Sequence, residues 1–159
     1  MEKSQDEMIT AEILDLFDET FENVHGYYLD KGTSLLEQLG SISSSDASAS
    51  SNASDHTIAS HLEHISFYIK TLIGYMKGQI EGKTDWNKSW TVKTVNDEEW
   101  NSLKDNLSAS YDLVKETING FTYWKDEDDF SGIISILVHT AFHLGAIWKM
   151  LEQINTGKE

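Results

Sequence analysis

The chain contains no cysteine and no proline, and it carries only 12 basic residues against 27 acidic ones. Without cysteine there is no disulfide, no thiolate metal site and no cysteine nucleophile, so any bound metal must be held by histidine and carboxylate. The shortage of bases leaves a formal net charge of -15. Such a surface repels phosphate backbones, which argues against nucleic acid as a partner. There is also no run of about 20 uncharged apolar residues, the length that crosses a bilayer. The most apolar window, GIISILVHTAFHLGAIWKML, carries two histidines and a lysine and reads as a buried helix rather than a membrane anchor. The first ten residues, MEKSQDEMIT, lack the basic start, apolar stretch and cleavage site of a secretory signal, which predicts a cytoplasmic protein. Neither a phosphate-cradling glycine loop nor a serine-nucleophile motif is present.

What is there is helical spacing. At 159 residues the chain has the length of a single domain with a core of its own. Residues 10–39 keep apolar side chains three and four apart, from Ile13 and Phe17 through Phe21, Val24 and Tyr28 to Leu35 and Leu39, and predict one long helix stopped by Gly40. Residues 40–55, GSISSSDASASSNASD, offer almost nothing to bury and predict an exposed, flexible, serine-rich linker. Asp55 or Thr57 can cap a second helix whose stripe runs Ile58, Leu62, Ile65, Ile69, Leu72, Ile73 and Met76, ending near Gly78. A long ordered loop pinned by Trp86 and Trp90 follows. Asn96 and Glu99 form a capping-box pattern ahead of a third helix that ends at Gly120, and acidic residues around Asp128 open a fourth that continues to about Ile154. No segment alternates with period two. The expected architecture is all-α, an antiparallel four-helix bundle with a long loop between the second and third helices.

Four of the six histidines fall in two close pairs, His61 with His64 and His139 with His143. Residues three or four apart share one side of a helix, so each pair can turn two imidazoles toward one ion. His139 and His143 sit at the edge of the fourth helix's apolar stripe, facing a groove beside the core. On the second helix His61 lies nearer the stripe, and helical phase alone selects it as the third ligand. Neutral imidazoles suit zinc, nickel and similar divalent ions, and three of them leave positions open for water or substrate. His25 and His56 read as exposed or locally hydrogen-bonded. The cluster at residues 126–129 lacks the spaced oxygens and central glycine of a calcium loop. Trp86, Trp90 and Trp100 could line a cleft, although aromatic residues in connections more often serve as hydrophobic pins.

The stretches TIASHLEHISFYIKTLIGYMKG, DWNKSW, NDEEWNSL and VHTAFHLGAIWKML together resemble the DinB-like superfamily of bacterial metal-binding four-helix bundles, which includes the YfiT-type proteins and is unrelated to the polymerase of similar name. The resemblance runs from about Thr57 to the carboxy terminus. It implies that a histidine of the second helix joins the His-x-x-x-His pair of the fourth around a divalent metal, zinc or nickel. The pair maps onto His139 and His143. The family's second-helix histidine stands seven residues after the Ser or Thr that opens the helix; counted from Thr57 it is His64, where phase selects His61. The implied activity is a thiol-dependent S-transfer that uses a low-molecular-weight thiol as small-molecule substrate. A non-catalytic metal- or ligand-binding stress-response role and metal-assisted hydrolysis are the alternatives. No residue is assigned as catalytic. Pairing into a homodimer through a wide apolar face stays open, with no residue specifying the interface.

Overall fold

A computed structural model of the chain describes residues 4–50, 56–121, 123–124 and 127–158. All regular structure among the described residues is helical, with no β-strand, as the spacing predicts. Ser4 starts the first helix, α1 (Gln5–Phe21), through a capping box: its hydroxyl accepts from the Glu7 backbone while the Glu7 carboxylate accepts from the Ser4 backbone.

The single helix expected over residues 10–39 is interrupted, and α1 stops at Phe21. The cause is Glu19, whose fully buried carboxylate gathers the loop that follows. Its Oε2 accepts from the N–H of His25 and of Tyr27, both at 2.9 Å, and its Oε1 from Tyr28 at 2.6 Å and Leu29 at 2.7 Å. Burial alone would raise the pKa of this carboxyl; the four backbone donors reverse that and bring it down to about 2. Gly26 and Gly32 take φ of 90° and 83°, the left-handed region that a side chain resists and a helix cannot include. Helix resumes only as α2 (Leu35–Leu39).

Residues 40–50 depart from the exposed linker expected of them. Ser43 caps a helical turn, α3 (Ser44–Ala47), and Ile42 and Ala47 are buried. The Trp100 indole donates to the Ile42 carbonyl at 2.8 Å, and the Ser44 hydroxyl donates to Asp97. The tract is thus tied to a distant helix through partners that its own composition does not reveal. Residues 51–55, the rest of the expected linker with the alternative cap Asp55, lie outside the described residues, as does Asp126.

Thr57 caps α4 (Ile58–Met76) by a reciprocal box with Ser60, and Gly78 follows its end at φ 65°. A 3-10 turn at Trp86–Trp90 breaks the connection to α5 (Asp97–Asn119), which Asn96 and Glu99 cap as predicted. The last helix is α6 (Glu127–Thr156). Both α1 and α4 pack on α5 and on α6. The core between them draws Phe17 and Phe21 from α1, Leu62, Ile65 and Ile69 from α4, Leu107 and Val114 from α5, and Ile133 and Ile147 from α6. Burying each such side chain contributes about 1.5–3 kcal/mol. α6 is long and apolar enough to cross a membrane; it buries Ile133, Ile136, Leu144 and Ile147 among the other helices and exposes Val138 and Phe142.

Candidate metal centre

The register of α4 is set at its first turn, where the Thr57 carbonyl accepts from His61 N and the Thr57 hydroxyl donates to the Lys93 carbonyl. That register buries His61 and, one turn on, His64. α6, packed alongside, supplies His139 and His143 from successive turns. The structure brings His64, His139 and His143 together: one ring nitrogen from each lies within 4.8 Å of the others, a group that could hold a metal ion. Among the described residues no carboxylate belongs to this group. His61, the choice of helical phase, is not in it either. Its Nδ1 lies instead 2.9 Å from Nδ1 of His143.

Hydrogen bonding decides which atom His64 presents. The Ser89 hydroxyl donates its one proton to the Trp86 carbonyl at 2.6 Å. Its contact of 2.7 Å with His64 Nδ1 must therefore be one in which the imidazole donates. His64 is the Nδ1–H tautomer, and its Nε2 carries a lone pair. That lone pair faces His139 Nε2 at 2.9 Å, so the proton between the two rings belongs to His139. A cation at this point would replace that proton. The donor set fits a divalent metal: neutral nitrogen ligands, one of them already oriented by a hydrogen bond from its far side.

Aromatic rings enclose the histidines. Trp90 stacks on His64 with 4.0 Å between centroids and 16° between planes, and Tyr68 stacks on His139. Phe142 meets His143 edge to face at 5.2 Å. Burial, reinforced by the neighbouring imidazoles, lowers the pKa of His64 to about 4 and of His143 to about 3. Burial also lowers His61 to about 4 and depresses His139. All four rings are therefore neutral near pH 7 and have lone pairs to offer.

Glu63, between the two α4 histidines, fastens the opposite wall. Its carboxylate accepts from the N–H of Thr91 at 2.9 Å and of Val92 at 2.8 Å, and from the Thr91 hydroxyl at 2.7 Å. This holds the turn carrying Ser89 and Trp90 against α4. The three tryptophans divide accordingly. Trp90 lies on the histidines, Trp86 packs on Phe67 and Tyr68, and Trp100 is a core pin. His25 pairs with Asp18 away from the centre, while His56 lies against Trp90 at a 36° tilt with 4.0 Å between centroids and so borders it. Sequence reasoning missed Ser89, Glu63 and Tyr68 as parts of the site; the one available signal was that Glu63 and Tyr68 share a helix with His64.

No protein-family model, no curated protein and no solved structure matches the chain.

Proposed function

We propose that the protein is a divalent-metal-dependent enzyme of the DinB-like kind, built as an antiparallel bundle of α1, α4, α5 and α6 and acting on a low-molecular-weight thiol. The observation that carries this reading is the convergence of His64, His139 and His143, with His64 held in the tautomer a metal requires. Two features of the resemblance support it: Thr57 caps α4 seven residues before His64, and His139 and His143 stand one turn apart on α6.

A zinc or nickel ion held by His64, His139 and His143 would supply Lewis acidity that favours deprotonation of a small thiol near neutral pH. The chain's own residues keep the three ligands neutral by burial and fix the plane of His64 through Ser89 and Trp90. The carboxylate of Glu63 is engaged by the Thr91 and Val92 backbone and is not among the groups that converge on the centre. The acidic surface favours a neutral or cationic electrophile as second substrate. A second reading, metal or small-ligand binding without turnover, is favoured by the aromatic cover that Trp90 and Tyr68 place over two of the ligands.

Metal analysis of untagged protein tests the centre. It should find a single divalent ion per chain, lost in a His139→Ala, His143→Ala double variant; full occupancy in that variant overturns the site. The cobalt form, titrated with bacillithiol, mycothiol, glutathione and coenzyme A, should gain a sulfur-to-metal charge-transfer band and consume an electrophilic probe such as monochlorobimane. Metal binding with neither response selects the second reading.

A further inference from the structure

His61 has no place in the triad, yet it is buried beside it and points a ring nitrogen at one of its members. The two Nδ1 atoms of His61 and His143 are 2.9 Å apart, a hydrogen-bond distance between neutral imidazoles that share one proton. Only two arrangements exist. If His61 donates, His143 Nδ1 is occupied as an acceptor and its own proton sits on Nε2, so His143 has no lone pair left for an ion. If His143 donates, its Nε2 is bare. The second arrangement is the one already read for His64, whose Nδ1–H is taken by Ser89.

We propose that His61 is the positioning residue for His143: its Nδ1 accepts the His143 Nδ1 proton and holds His143 in the tautomer that offers Nε2 to the metal. The inference rests on the metal-binding reading above and adds a role for a residue outside the ligand set. His61 is placed for it by the Thr57 cap one turn earlier and by the rings of Trp90 and His56, which lie at 87° and 72° to its plane. Two of the three ligands are then presented by partners on their far sides, one a loop hydroxyl and the other a helix imidazole.

The test uses the full chain labelled with nitrogen-15. Long-range proton–nitrogen correlation spectra show directly which ring nitrogen carries the proton, and comparison with His143→Ala assigns the His143 signals. In the metal-free chain, His143 should be protonated at Nδ1 and bare at Nε2. His61→Asn, whose amide oxygen can accept in place of Nδ1, should keep that pattern and the zinc affinity. His61→Phe, similar in shape but without an acceptor, should lose the pattern and bind zinc about 10–100-fold more weakly. A proton on His143 Nε2 in the unaltered chain overturns the proposal. So does a folded His61→Phe whose zinc affinity stays within about twofold of the unaltered chain, well short of the loss expected when an outer-shell partner is removed. Failure of the unaltered chain to bind zinc overturns the metal reading instead, and the tautomer spectrum still decides the His61–His143 pairing.

Discussion

Tyr68 lies flat on His139, with ring centroids 3.7 Å apart and planes 13° from parallel. Among the described residues no hydrogen bond holds His139 Nδ1, so for this ring it is stacking that fixes the plane. Tyr68→Leu keeps apolar bulk but removes the flat face, and should weaken zinc binding about 10-fold, while Tyr68→Phe should leave it unchanged. Competition against a chelator of known affinity measures both.

Glu63→Gln replaces one accepting oxygen with an amino group that cannot accept. It should destabilise the protein by about 1–2 kcal/mol, read from urea unfolding. Loosening of the turn should also shift tryptophan emission to longer wavelength, a change that disappears in a Trp90→Phe background.

The buried groups make the metal-free protein sensitive to acid. His61, His64 and His143 have folded pKa values of about 4, 4 and 3, below the ordinary 6.5, so between these limits the unfolded chain binds more protons. Their contribution is intact above about pH 6.5 and is lost as pH falls toward 3. Glu19 acts lower: its stabilisation is present above its unfolded value of 4.5 and is lost as pH falls through about 2. Denaturation midpoints should therefore drop between about pH 7.5 and about pH 5. Glu19→Gln should cost roughly 2–3 kcal/mol at neutral pH, a deficit that shrinks below about pH 4.5.

Trp100→Phe leaves the Ile42 carbonyl buried without its indole partner, and should cost about 1–3 kcal/mol. Cleavage by a nonspecific protease should then increase within residues 40–50, since this bond ties that tract to α5.

The helix limits that depend on neighbours in sequence were legible. Asn96 with Glu99, and Thr57 as one of two caps offered at the head of an apolar stripe, marked α5 and α4 because capping is a contact three residues long. The break after Phe21 was not, because Val24, Tyr28 and Leu35 happen to continue a helical spacing, whereas the break is made by the Glu19 carboxylate and by two glycines at positive φ. The serine tract failed for the same reason, its partners Asp97 and Trp100 lying some fifty residues away. At the centre, the spacing of His139 and His143 could be read directly. Helical phase pointed to His61 over His64, because phase reports distance from the hydrophobic stripe and not which ring nitrogens meet across two helices.

The two walls of the centre differ in how they are held. One is made of side chains on α4 and α6, which can separate only if the core comes apart; the other, Ser89 and Trp90, sits on a short turn held by side-chain contacts and by the three hydrogen bonds that Glu63 accepts. Local opening of such a turn requires far less free energy than unfolding the helices. An ion held by His64, His139 and His143 would then exchange through opening of this turn, without global unfolding. The lability of such a centre, how quickly one ion exchanges for another, would depend on this turn as well as on the ligands.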